Sequence, residues 1–263
     1  SATGLTFFDF LMYDGPAVLL ILAAAMVCFY FIYGRKMGVA EDKQASIMTL
    51  HAHEAIKSKS LFTKSVVMTV VTAVAFVLHG AVHIEPSVVA LAAAAIMLIL
   101  SRAEVEEVLL DVEWSTIGFF AGLFVVVGGL AETGVIEMLA NALIDATGGD
   151  LFLTIMIMVW ASAIISSFLD NIPMVATLIP IIMAIGNTGV DVMPYWWAIS
   201  LGACIGGIGT LIGASANVVL SGMSKTYGYP ITFMEYTKVA FPMMLVFTAI
   251  SCVYLVLRFC VFV

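Results

Sequence analysis

The sequence predicts an all-α polytopic membrane protein, on three observations. Hydrophobic residues make up 63% of its 263 residues, and the mean hydropathy is +1.14. Charged residues are 11%, less than half of the roughly 25% usual in soluble domains. The apolar residues run in stretches of about 20, the length that crosses a hydrocarbon core about 30 Å thick. They do not alternate with polar residues as in a β-barrel. A net charge of −8 offers no basic face for nucleic acid. Cys28, Cys204, Cys252 and Cys260 are widely spaced within apolar runs, as packing residues rather than disulfides or metal ligands. No signal peptide is visible, and the chain enters its first apolar run soon after Ser1, so a fragment of a longer protein is expected.

Spanning helices are expected at Gly15–Tyr33, Leu61–Gly80, Pro86–Leu100, Trp114–Ala131 and Phe241–Val261, with a sixth, glycine-rich and more polar, at Tyr195–Gly222. Between the first two lies a linker, 34–60, carrying Arg35, Lys36, Lys43, Lys57 and Lys59. The positive-inside rule assigns it to the cytoplasm, and the cell (inner) membrane is the expected location. Its His-Ala-His-Glu run at 51–54 reads as solvated linker, because Lys57 stands where a zinc protease needs its second histidine. His79 and His83 read as interfacial polar residues near a helix end. Arg102–Glu113 and Thr133–Thr147 set an apolar stripe against acidic residues, the pattern of helices lying along the membrane surface. Phe233–Pro242 is expected as a link to the last span.

Asp170 is the only charged residue between Leu151 and Val190. As one helix, Leu151–Ile185 would be about 52 Å long, too long for the hydrocarbon core. As two full passes it is too short, since Met174–Ile185 covers only about 18 Å. A re-entrant hairpin fits: one arm through Leu151–Phe168, a turn at Leu169–Pro173, and a returning arm. Non-helical backbone at that depth needs protein or a water-filled cavity around it. A non-crossing hairpin also brings Lys225 and Lys238 to the cytoplasmic side. A carboxylate so placed needs a cation, a proton, water or helix-end amides, and is functional by default. Ser166, Ser167 and Thr177 serve the backbone of the arms or the site.

The second polar cluster is Gly-Gly-Ile-Gly-Thr-Leu-Ile-Gly-Ala-Ser-Ala-Asn, 206–217. It lacks the GxGxxG spacing and the preceding strand of a dinucleotide site. Gly202 and Gly206 have the spacing of close helix packing. Gly213–Asn217 reads as a helix unwound in mid-membrane, with Thr210–Asn217 lining a site. A hairpin tip facing a broken helix is a transporter device, with positive half-helix ends for anions and free carbonyls for cations.

These two clusters resemble the arsenite-permease and melanosomal P-protein branch of the ion transporter superfamily. Phe168–Pro180, Cys204–Met244 and Val112–Ala140 carry the resemblance, in the same order. It implies two inverted repeats, each with three spans, a hairpin, a broken helix and a final span. Residues 1–33 would then hold the last helix of a first repeat absent here. Residues 61–263 would form the C-terminal repeat: hairpin at about 151–186, broken helix at about 195–222, final span at about 241–261. The resemblance implies an ion or substrate site at Asp170, Asn171, Thr210, Gly213, Ser215 and Asn217, with Na⁺ at Asp170, Asn171 and Asn217. Ile208, where asparagine is frequent, and Met174-Val175, where Phe-Thr is common, are departures that bear on the ion.

The function expected is secondary transport of an inorganic anion or arsenite by alternating access, with Na⁺ or H⁺ as coupling ion and no other cofactor. Na⁺/H⁺ antiport and a passive anion channel are the alternatives. The partners expected are the bilayer, the ion, the absent N-terminal repeat and a second copy meeting through Leu61–Gly80 and Pro86–Leu100. An enzyme is disfavoured. An aspartyl protease needs a second buried aspartate, and a serine protease needs a buried histidine base.

Overall fold

The computed structural model describes residues 4–36, 38, 56, 58–82, 84–110, 112 and 114–261. Most of the linker, with its 51–54 run, Lys43 and Lys57, lies outside them, as do His83 and the side chain of His79. The described chain is helical throughout, with no strand among the described residues. It forms α1 (Phe7–Tyr13), α2 (Gly15–Ile32), α3 (Lys59–Val82), α4 (Pro86–Ser101), α5 (Val105–Leu110), α6 (Trp114–Glu132) and α7 (Val135–Thr147). Then come α8 (Leu151–Ser166), α9 (Asn171–Gly186), α10 (Met193–Gly206), α11 (Ser215–Thr226) and α12 (Phe233–Val256), the last running on into a π turn at Leu257–Val261. Two compact units result: Ser1–Tyr13 with Phe29–Trp114, and Asp14–Cys28 with Ser115–Val263.

In the first unit α3 packs on α4, and the Lys64 ammonium donates to the Leu100 carbonyl at 3.0 Å. That contact answers one of the carbonyls a helix leaves open at its C-terminus.

The second unit is built around α10, most of which is buried: Tyr195, Trp197, Ala198, Ile199, Leu201, Ala203 and Ile205 all belong to the core, while the stripe of Trp196, Ser200 and Cys204 is half-buried to exposed. Against it lies α8. Its buried positions Thr154, Ile155, Met158, Val159, Ser162, Ala163 and Ser166 follow the three-four spacing of one helix face. The two backbones almost touch. A Cβ on Gly202 would stand 2.0 Å from the Ser162 Oγ, and one on Gly206 would stand 2.3 Å from the Ala163 carbonyl oxygen. Lipid is as apolar as leucine, so such close approach supplies the attraction that the hydrophobic effect supplies in water. The third core helix, α12, packs on both.

Most expected elements appear at the expected places, with three shifts. The hairpin turn lies at 167–170, earlier than expected, because Pro173 sits in the first turn of α9, where its missing N–H removes no helical bond. Arms of 16 residues reach about 24 Å each, short of a crossing. Second, Phe233–Pro242 is no link but the opening of α12, started by a capping box in which Thr232 and Glu235 bond reciprocally. Third, only Val105–Leu110 of the acidic stretch 102–113 is helical among the described residues. Val135–Thr147 is helical as expected, bent by 70° from Thr116–Glu132.

One local structure occurs twice. The Thr6 amide and hydroxyl each donate to Asp9 Oδ2 at 2.7 Å, and the Asp9 amide donates back to Thr6 Oγ1 at 3.3 Å. Thr232 and Glu235 make the same three bonds at 3.0, 2.7 and 3.3 Å. The sequences match around them: Leu-Thr-Phe-Phe-Asp-Phe from Leu5, Ile-Thr-Phe-Met-Glu-Tyr from Ile231, each followed six residues on by a proline, Pro16 and Pro242.

Candidate functional site

The sixth span breaks after Gly206. The chain unwinds over 207–214 and resumes as α11 at Ser215. Glycine is needed here for closeness. A Cβ on Gly213 would stand 2.8 Å from the Gly207 carbonyl oxygen, 2.9 Å from that of Ser167 and 3.1 Å from that of Ser166. A Cβ on Gly209 would meet Ser167 Cβ at 2.8 Å and Met244 Cε at 3.0 Å. The unwound segment is thus wedged between the end of the first hairpin arm and α12.

Unwinding frees backbone carbonyls, and side chains answer several of them. The Ser166 hydroxyl donates to the Ala203 carbonyl at 2.7 Å. The Thr210 hydroxyl, fully buried, donates to the Ser167 carbonyl. The Asn217 side-chain amide reaches back from α11 to the Gly207 and Thr210 carbonyls, at 2.9 and 3.2 Å. The break is therefore a fastened structure.

The hairpin tip is more open. Asp170 is the N-cap of α9, yet its carboxylate makes no cap bond, and Asp170 and Asn171 are half-buried. The N-cap of α11 is Ala214, which has no capping side chain, and Ser215 is exposed. Two helices thus begin with N–H groups that no side chain caps, and the chain entering one touches the chain leading to the other through Gly213, Ser166 and Ser167.

The expected site residues divide accordingly. Thr210, Gly213 and the Asn217 amide hold the break together. Asp170, Asn171 and Ser215 stand at the two open helix starts. Thr177 serves its own helix, donating to the Pro173 carbonyl at 2.9 Å. Among the described residues no cluster of three or more histidine, cysteine, aspartate or glutamate side chains could hold a metal ion. One buried polar contact has no counterpart in the sequence reading. Asp14, 8% exposed and just ahead of α2, accepts a 2.6 Å hydrogen bond from the Ser200 hydroxyl on α10. Its signal was an acid directly before Gly15-Pro16 in apolar sequence.

This geometry, apolar spans with a short-armed hairpin and a broken helix, is that of an integral, multi-pass membrane protein. The sequence model of the citrate transporter family, CitMHS, matches residues 1–202, and the chain belongs to that family, within the ion transporter superfamily. An uncharacterized transporter of Mycobacterium tuberculosis is 40% identical over 100% of this chain and 62% of its own length. A 46 kDa membrane protein of Mycobacterium leprae is 36% identical over 99% of this chain and 62% of its own. The pig P protein is 38% identical over 82% of this chain and 27% of its own. The chain thus spans about three fifths of the length of its mycobacterial relatives.

Proposed function

We propose that this chain carries one half of the substrate site of a secondary transporter that moves an anion by alternating access. The observation behind this reading is the pair of uncapped helix starts, at Asn171 and Ser215, joined through Gly213 and the serines of the first arm. Unsatisfied N–H groups and the positive end of the helix dipole favour an anion there. Asp170 at the same end repels an anion unless a cation or proton sits with it, which is the logic of coupling to Na⁺ or H⁺. The family's description points to citrate as a substrate to try beside arsenite and inorganic oxyanions. Residues 34–60 face the cytoplasm in this scheme, and residues 7–32, capped like α12, end a first repeat whose hairpin and broken helix complete the site. No chemical step on the substrate is involved.

Na⁺/H⁺ exchange is the second reading, favoured by the carboxylate of Asp170 that no cap bond engages. The test uses the full-length protein in proteoliposomes, with labelled citrate and labelled arsenite taken up under imposed Na⁺ and pH gradients. Uptake with counterflow, reduced about tenfold or more by Asp170→Asn, is expected. Uptake without counterflow supports a channel. Na⁺-driven pH change without anion uptake supports exchange. Full activity of Asp170→Asn removes the hairpin tip from the mechanism.

A further inference from the structure

Asp14 is the most enclosed carboxylate among the described residues. It lies between α1 and α2, where its backbone carbonyl accepts the first helical bond of α2 from Val18 at 2.9 Å. Its side chain leaves that helix and turns to α10. Oδ2 takes the Ser200 hydroxyl at 2.6 Å, whereas Oδ1 is buried without a partner. No lysine, arginine or histidine among the described residues pairs with it. The titratable group nearest along α10 is Cys204, one turn beyond Ser200 and uncharged as a thiol.

A carboxylate that is nine-tenths buried, with one neutral hydrogen bond, is costly in its charged form. Something positive must balance it. A metal ion needs several oxygen ligands, and among the described residues the side chains bonded here supply only one carboxylate and one hydroxyl. A proton needs only the carboxylate. The equivalent position in α12, counted from the shared cap and proline, is Ala240, so the capped-helix motif does not require an acid here.

We propose that Asp14 is a proton-binding site, filled at mildly acidic pH, whose loss of a proton changes the grip of α2 on α10. Ser200 lies two turns before Gly207 on one stripe of α10, away from the glycines that face α8. A charge arising at Asp14 therefore acts on the half-helix that leads into the break. The proton would be exchanged with water while the neutral acid and the carboxylate alternate, with no other bond made or broken. The link to coupled transport rests on the proposed function; the site itself does not.

The test is infrared difference spectroscopy across a pH step on the full-length protein in liposomes. Wild type, Asp14→Asn, Ser200→Ala and Asp170→Asn are compared, with and without sodium chloride. A protonated-carboxyl band on the mildly acidic side of the step, lost on the alkaline side, is expected in wild type and in Asp170→Asn. Asp14→Asn should lose it. Ser200→Ala should keep it at a higher frequency, because the carbonyl has lost a donor. A band that persists in Asp14→Asn, its absence from wild type, or no shift in Ser200→Ala overturns the proposal. Loss of the wild-type band on adding Na⁺ overturns it in favour of a metal-cation site. If Asp14→Asn fails to insert, the Ser200→Ala shift decides alone. Because the readout is not transport, a failed uptake assay and a failed proton site are separate results.

Discussion

The side-chain amide of Asn217 donates to the Gly207 carbonyl at 2.9 Å, tying the first turn of α11 to the residue where α10 ends. With the second bond to Thr210, it spans the whole unwound segment.

Asn217→Ala removes both donors and leaves two carbonyls without that partner. A loss of about 1–3 kcal/mol in the stability of the break is expected. Asn217→Asp should be worse than alanine at neutral pH, because a carboxylate would face two carbonyl oxygens. Thermal unfolding of the purified protein, followed by intrinsic fluorescence, gives the order wild type, alanine, aspartate.

Gly206→Ala should be among the most damaging single-methyl additions in the chain. The new carbon would meet Ala163 backbone atoms at 2.3 to 2.9 Å, and backbone cannot move aside as a side-chain end can. Overpacking of this kind costs about 1–3 kcal/mol or more. Gly222→Ala, with nothing within 4 Å, should be neutral or stabilising by up to about 1 kcal/mol, since alanine is the better helix former. Folded yield in detergent separates the two.

Ser166→Ala breaks a buried bond between α8 and α10. Interhelical bonds of this sort in membranes average about 0.6 kcal/mol, with a ceiling near 1.7. A small fall in melting temperature with unchanged substrate affinity is expected. A large fall in affinity with unchanged melting would move Ser166 into the binding site.

The cap at Thr6 has a pH signature. Hydrogen bonds from the Thr6 hydroxyl and amide hold the Asp9 carboxyl below the ordinary carboxylate range. For a carboxyl depressed on folding, the contribution is complete above its unfolded value, about 3.9, and fades as pH falls through the lower folded value. Hydrogen exchange at residues 7–10, corrected for intrinsic rates, should therefore stay protected to mildly acidic pH and rise only in strong acid. Asp9→Asn should raise it at neutral pH.

Much of this was legible because membranes make length decisive. Two short apolar arms around Asp170 leave few arrangements, and glycines grouped at 202–213 mark both a close contact and a break. The turn lies earlier than a helix-breaking proline implies, because Pro173 in a first turn breaks nothing. The start of α12 was missed although Thr-x-x-Glu before an apolar run is a capping signal. Thr210 and Gly213 show the limit of composition. Polar and small residues at a break read as ligands, and the fold adds a structural task that composition does not show: the Thr210 hydroxyl donates to the Ser167 carbonyl, and Gly213 allows the close approach. Asp14 escaped notice because it falls one residue ahead of a span, and only the fold brings Ser200 to it.

The seam at Gly202 and Gly206 also has a kinematic meaning. Where only side chains as small as Ser162 and Ala163 stand between two helices, no rotamer change can let one slip past the other. In the proposed alternating-access cycle the first hairpin arm and the first half of the broken span therefore move as one body. Any relative motion within this unit is left to pieces held more lightly, above all Ser215–Thr226, which buries none of its residues. Its tether to the rest of the unit is Asn217, through the two hydrogen bonds to the Gly207 and Thr210 carbonyls.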